Sequence, residues 1–287
     1  MDDASSTFQS ATIGVVGLGL MGGSIIKALK RHGCSDLIGI DANQHIFQQA
    51  RQEGLLHNEQ NQVTDLLKEA TLIILCLTPS ETIKFVQTNH EKFRSGSVIT
   101  DICGIKTSML DQIQKHLRKD VDYVPAHPMA GREKGGFDYS QETLFDGCNY
   151  IITPLQTNRE ASIDLVRQLA HALGSSNVFL SSPEQHDHMI TYTSQIPHVL
   201  SVVYMKEASG RQPKSFSAGS YKDVSRVASI DGKMWSELFI SNRNYLVPEI
   251  QLFIEKLSEV EQLIQNGDQA NLENYLTEAA SIKKELG

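Results

Sequence analysis

Residues 14–24 read GVVGLGLMGGS, which places Gly17, Gly19 and Gly22 in a G-x-G-x-x-G spacing. Such glycine spacing is common by chance, so its surroundings decide what it means. Upstream, TIGVVG (12–17) is a short apolar run rich in β-branched residues; downstream, an amphipathic stretch runs from Leu20 to His32. A strand, a glycine turn and a helix in that order open a dinucleotide-binding βαβ unit. Gly17 then permits the tight turn, Gly19 lets a pyrophosphate approach the backbone, and Gly22 lets helix and strand pack closely. The pyrophosphate would rest on the helix N-terminus, where Leu20 and Met21 stand and the helix dipole favours an anion. The next apolar run, DLIGID (36–41), ends in Asp41, a carboxylate suited to ribose hydroxyls and repelling to a 2′-phosphate. The residues after it, ANQH, hold no arginine, so NAD is favoured over NADP. A purely structural glycine turn is the alternative, and the acidic residue in its expected place weighs against it.

The alternation continues outward. ATLIILCL (70–77) is a continuous apolar run of strand length, as expected for a strand buried on both faces of a parallel sheet. GSVITDI (96–102) and VDYVPA (121–126) repeat the theme, and further strands are expected at 148–153 and 177–180 around a helix at 159–173. This is the pattern of a doubly wound, Rossmann-type α/β sheet. Ligands bind such sheets beyond the C-terminal strand ends. That rule adds Leu77, Thr78 and Asp101 to the expected cofactor-binding set, although Pro79 serves equally well as a plain strand terminator. After residue 180 the texture changes. Ser181-Ser182-Pro183-Glu184 is a helix start, with a serine cap and a proline at the first helical position. Beyond it apolar residues recur at helical spacing, as in the stripe Ile250, Phe253, Ile254, Leu257, Val260, Leu263 and Ile264. The expected organisation is a dinucleotide-binding domain over 1–180 and an all-helical domain over 181–287.

Composition narrows the classes. A chain of 287 residues with 40% hydrophobic and 21% charged content is ordinary for a soluble globular protein. A net charge of -8 argues against a nucleic-acid binder, and it means that an anionic substrate must be held by local cations. Cys34, Cys76, Cys103 and Cys148 are scattered, as reduced thiols are, with no pattern of a disulfide frame or metal site. The first ten residues, MDDASSTFQS, are acidic and polar, unlike a signal peptide, and no apolar run approaches the roughly 18 residues that span a bilayer. A cytoplasmic protein without membrane, nucleic-acid or metal partners is expected.

VPAHPMAGREKGG (124–136) holds His127 between Pro125 and Pro128, at the end of a strand and beside the expected crevice. The prolines restrict the backbone. A histidine is suited to take a proton at neutral pH. From position alone, a base and a buried structural histidine are equally consistent. GSYKDVSRVASIDGKMW (219–235) sets Lys222 and Arg226 four residues apart, able to line one face of a helix and bind a substrate carboxylate. A solvated surface cluster is the blander alternative.

IGVVGLGLMGGSIIKAL, HPMAGREKGGF, QIPHVLS and YKDVSRVASIDGKMW, in that order over nearly the whole chain, resemble the motifs of the prephenate and arogenate dehydrogenases of tyrosine biosynthesis. The pairing of HPMAG with KDxSR…MW is far more specific than the glycine spacing. The resemblance implies an NAD-dependent oxidative decarboxylation: hydride leaves the hydroxyl-bearing ring carbon of prephenate, the ring carboxylate departs as CO2, and 4-hydroxyphenylpyruvate results. It implies that His127 is the base and that Arg226, with Lys222 nearby, grips a substrate carboxylate. It further implies that His198 lines the substrate pocket, that Glu133 gates its mouth, and that Trp235 lies near the domain interface or in packing. Two departures stand out. Gly104 in DICGIK occupies a position where many relatives carry a serine that helps hold the histidine and substrate; Cys103, Thr107 or a water is then expected to make that contact, unless it is absent. Gln195 stands where some relatives carry a second histidine. Both bear on prephenate against arogenate, with prephenate favoured. A homodimer through the helical domain is expected, and tyrosine feedback would have to act in the active site, since no further module follows. The rivals are a β-hydroxy-acid dehydrogenase, which typically uses a lysine where this chain offers His127, and a non-catalytic NAD(H)-binding regulator.

Overall fold

The computed structural model describes residues 8, 9, 11–132, 134–207 and 215–286. The apolar runs become β1 (Ile13–Val16), α1 (Leu20–Arg31), β2 (Leu37–Ile40), α2 (Gln44–Gln52), α3 (Val63–Glu69), β3 (Leu72–Leu75), α4 (Pro79–Asn89), β4 (Val98–Asp101), α5 (Thr107–Gln114) and β5 (Asp122–Tyr123). The five strands are parallel, in the order β2-β1-β3-β4-β5. Strands β1 to β4 are buried at every position, because helices cover both faces. Ile25, Ile26 and Leu29 of α1 and Phe47 of α2 pack on one side; Leu66 and Leu67 of α3, Val86 of α4 and Met109 and Ile113 of α5 pack on the other. After β2 the chain recrosses β1 to reach β3. The sheet therefore changes winding direction between β1 and β3, which opens a crevice at their C-terminal ends.

The run VDYVPA does not form one strand, which corrects the expected position of His127. The ladder with β4 ends at Val124, whose amide donates to the Ile99 carbonyl at 2.9 Å. Pro125 has no N–H with which to continue it. The Ala126 amide turns instead to the Asp101 carboxylate at 3.3 Å, and the chain enters a second sheet. There β6 (Ala126–Pro128) pairs antiparallel with β7 (Asn149–Ile152), which pairs parallel with β8 (Asn177–Leu180) after α6 (Glu160–Ala172). His127 faces Ile151 across this ladder. It is thus held in the middle of a strand of the second sheet rather than at the end of a strand of the first.

The helical part opens with α7 (Pro183–Ile190), where Ser182 caps the Gln185 amide and Pro183 occupies the first turn. A π-helical turn at Thr191–Gln195 leads into α8 (Ile196–Lys206). Pro197 explains this widening, since its ring crowds the carbonyl one turn back and it has no N–H to donate there. Then come α9 (Gly219–Arg226), α10 (Gly232–Ser241), α11 (Arg243–Gln265) and α12 (Gln269–Leu286). In α11 only Leu246 is buried, whereas Ile254, Leu257 and Ile264 of the apolar stripe are 57%, 61% and 62% exposed. Among the described residues no helix is long and apolar enough to cross a membrane.

Candidate active site

The glycine turn has the shape its spacing predicts. Gly17 has a positive φ of 86°, and a Cβ there would lie 2.6 Å from the Cys76 carbonyl oxygen, so no other residue fits. At Gly22 a Cβ would fall 1.8 Å from the Gly17 carbonyl oxygen. At Gly19, by contrast, a Cβ would meet nothing within 4 Å. Gly19 is also the N-cap of α1 and supplies no side-chain cap, so the first-turn amides at Leu20 and Met21 are left facing a cradle that an anionic group would fill. Asp41 stands beside this turn, its carboxylate accepting from the Leu18 amide at 2.7 Å and the Asn43 amide at 2.8 Å. These residues fit a dinucleotide.

His127 reaches the same crevice through contiguous contacts. Leu77, next to the residue that touches Gly17, accepts a bond from the Cys103 thiol at 3.4 Å. The neighbouring Gly104 lies beside the imidazole edge: a Cβ built there would sit 3.7 Å from Cε1 and 3.8 Å from Nε2 of His127. The opposite ring nitrogen, Nδ1, lies 3.0 Å from Nε2 of His186 on α7. His186 Nδ1 is in turn 2.8 Å from Asp187 Oδ1. The Asp187 carboxylate accepts from the Lys106 amide at 2.8 Å, the Thr107 amide at 2.8 Å and the Thr107 hydroxyl at 2.6 Å. Beneath them the buried Lys106 ammonium donates to Asp101 at 2.6 Å and to the Ala126 carbonyl at 2.5 Å.

The electrostatics follow from this packing. Burial, with the neighbouring His186 imidazole and the Lys106 ammonium, holds His127 well below the ordinary histidine range. Burial also lowers His186, against the pull of Asp187. Burial would raise the Asp187 carboxyl, but its bonds from His186 and Thr107 outweigh that and hold it below its usual value. Near neutral pH the trio is two neutral imidazoles and one carboxylate.

The remaining expected residues lie in the helical part. His198 on α8 donates from Nδ1 to the Ser194 carbonyl at 2.8 Å and stacks on Trp235 of α10 with ring centroids 3.7 Å apart. The exposed side chains of Lys222 and Arg226 ride on α9, which is tied to α8 by the Ser201 hydroxyl donating to the Val224 carbonyl at 2.7 Å.

Residues 25–178 match a family model described as the nucleotide-binding domain of prephenate dehydrogenase, and residues 182–278 match one described as its dimerization domain. The chain belongs to the prephenate dehydrogenase family. Prephenate dehydrogenase of Bacillus subtilis is 27% identical over 96% of this chain and 76% of its own length. Cyclohexadienyl dehydrogenase of Zymomonas mobilis is 28% identical over 96% of this chain and 95% of its own. Among solved structures, Aquifex aeolicus prephenate dehydrogenase in complex with hydroxyphenyl propionate and NAD+ superposes with a TM-score of 0.86 at 25% identity, covering 96% of this chain and 98% of that one.

For a member of this oxidoreductase family, several placements differ from those expected. Asp101 has no exposed surface, and its two oxygens are occupied by Lys106, Tyr123 and the Cys103 and Ala126 amides. It therefore braces the core under His127 and does not face the cofactor. Gln195 is 2% exposed and accepts from Asn242 at 2.7 Å, so the π-helical turn points it into helix packing. Thr78 spends its hydroxyl capping α4, in a capping box with Glu81. Thr107 binds Asp187, and the Cys103 thiol lies 3.7 Å from the Thr82 hydroxyl, so the contact expected of either with His127 comes from His186 instead. Glu133 lies outside the described residues. His186, Asp187 and Lys106 were not expected from the sequence. The available signal was PEQHDH, a histidine–aspartate pair on a capped helix, which reads as helix-start polarity until the fold brings it against HPMAG.

Proposed function

We propose that this chain is an NAD-dependent prephenate dehydrogenase that forms 4-hydroxyphenylpyruvate and CO2, acting in the cytoplasm as a homodimer. The observation that carries this reading is the line of contacts that runs from the Gly17 turn through Leu77 and Cys103 to Gly104 and the Nε2 edge of His127. NAD, when bound, supplies the hydride acceptor. Gly19 and the α1 N-terminus would hold its pyrophosphate, and Asp41 would hold its adenosine ribose and disfavour a 2′-phosphate. His127 accepts the ring-hydroxyl proton at Nε2, a role its lowered basicity suits because the ring is already neutral at the working pH. Arg226 provides the bidentate grip on a substrate carboxylate and Lys222 a second positive charge. The stacked pair of His198 and Trp235 supplies a flat, half-buried wall for the substrate ring. Four free cysteines support a reducing compartment.

The test is parallel assay of NADH formation with prephenate, arogenate and a β-hydroxy acid. Turnover with prephenate is expected. Turnover with arogenate alone would reassign the substrate, turnover with the β-hydroxy acid alone would discard the reading, and NAD binding without any turnover would make the chain a regulator.

A further inference from the structure

Two buried groups, His186 and Asp187, stand in line behind His127. His186 is 2% and Asp187 1% exposed. Their protons can be assigned by elimination. Asp187 accepts three bonds from Lys106 and Thr107 at the start of α5, where the helix dipole also favours a negative charge. As a carboxylate it has no proton to give, so the 2.8 Å contact requires His186 to carry its proton on Nδ1. A neutral His186 then offers only a lone pair at Nε2. The 3.0 Å contact with His127 therefore requires the proton of that ring to sit on Nδ1. His127 Nε2 is left bare, and it is this nitrogen that faces Gly104.

We propose that Asp187 and His186 are positioning residues that fix the His127 tautomer, so that Nε2 is the proton-accepting atom of the active site. The inference deepens the dehydrogenase reading and rests on it for the identity of the reaction. When Nε2 takes the hydroxyl proton, His127 becomes an imidazolium that keeps its Nδ1–H bond to His186. The Asp187 carboxylate stabilises that charge through the intervening ring. No proton moves along the line, and every hydrogen bond present before the step persists after it. Lys106 limits the device: its ammonium, shared between Asp101 and the Ala126 carbonyl, opposes positive charge on His127 and keeps the free ring neutral.

The experiment is 15N-imidazole NMR of the full chain without substrate, with the His127 signals assigned by their loss in His127→Gln. The expected spectrum shows a proton on Nδ1 and a bare Nε2; the opposite tautomer would overturn the proposal. Kinetics give the second readout. His186→Leu removes the acceptor and is expected to lower kcat about 100-fold, within the range of a misplaced general base, with the Kd for NAD unchanged. His186→Gln restores an acceptor oxygen and is expected to recover most of that loss; equal losses in both variants would reduce His186 to packing. Asp187→Asn preserves shape should the leucine variant not fold. Without the negative charge the preference for the Nδ1 proton on His186 weakens, so the Nε2-protonated tautomer of His127 is expected to appear beside the first and kcat to fall; a tautomer ratio and a kcat that are both unchanged would refute the relay. A wild-type chain with the expected tautomer but no turnover of prephenate would keep the relay and remove only the substrate assignment.

Discussion

Gly104 sits against the Nε2 edge of His127, at a distance where a Cβ would make ordinary contact, 3.7 Å from Cε1 and 3.8 Å from Nε2. A serine there fits without displacement, and its hydroxyl falls within reach of Nε2. A valine would place methyl groups where the substrate hydroxyl must go. Gly104→Ser is therefore expected to keep its melting temperature and to hold kcat with prephenate within about 10-fold, whereas Gly104→Val loses roughly 100-fold or more, since small misplacements at the reacting atom are that costly. Steady-state kinetics on the two variants decide it, and a dead serine variant would show that the site is tighter than its geometry.

The trio of His127, His186 and Asp187 gives the protein an acid-sensitive core. His127 and His186 have lowered basicity when folded, so between their folded values and the free-histidine value of about 6.5 the unfolded chain binds more protons. Stability then rises with pH across that window, is fully present above it, and is lost on acidification. The groups facing His127 are His186 and Asp187 from α7 with Lys106 and Asp101 from β4 and its following turn, and Asp187 adds a further loss of the same sign at lower pH. Denaturant midpoints measured from pH 8 to 5 are expected to be flat above about pH 7 and to fall below it. His127→Gln should flatten part of that fall; an identical slope in the variant would place the sensitivity elsewhere. The acid limb of kcat/KM should likewise lie below the ordinary histidine range.

Much of this was legible in the order of residues. Strands β1 to β4 are buried on both faces, so their apolar runs were continuous, and the glycines were readable because Gly17 and Gly22 have no alternative residue. Two things were not legible. The division of VDYVPA depends on Pro125 ending one ladder while Asp101, twenty-four positions earlier, captures the Ala126 amide. The support of His127 comes from His186, fifty-nine positions away on an element whose local pattern shows only a well-capped helix. Local periodicity reports which face of an element is buried. It does not report which polar groups meet across two sheets. For the same reason Asp101 and Gln195 read as site residues from their motifs yet turn into the core.

Asp41 has two duties that one substitution separates. Its carboxylate orders the turn by accepting the Leu18 and Asn43 amides, and it presents negative charge where a ribose would lie. Asp41→Asn can keep one amide bond but loses the charge. Hydrogen bonds to charged groups contribute about 1.5–3 kcal/mol, so the Kd for NAD is expected to rise roughly 10- to 100-fold. The Kd for NADP should fall relative to it. Titration of both nucleotides against the two proteins measures the ratio; an unaltered ratio would remove Asp41 from cofactor selection.

We expect the exposed apolar side chains of the helical part to pack against a second copy of the chain. Val203 and Ile240 are each 63% exposed and Leu257 61%, on three different helices, and residues 182–278 match a dimerization domain. Exposed apolar groups at this density mark an association surface, whose burial contributes about 25 cal/mol per Å². Light scattering at micromolar concentration is expected to give twice the chain mass for the wild type. Leu257→Asp, which would bury a carboxylate in the interface but leave the monomer core untouched, should give the monomer mass with NAD binding retained. Burying an unpaired charge costs several kcal/mol, enough to shift a micromolar dimer fully apart. A variant that stays dimeric would exclude α11 from the interface and point instead to the faces of α8 and α10.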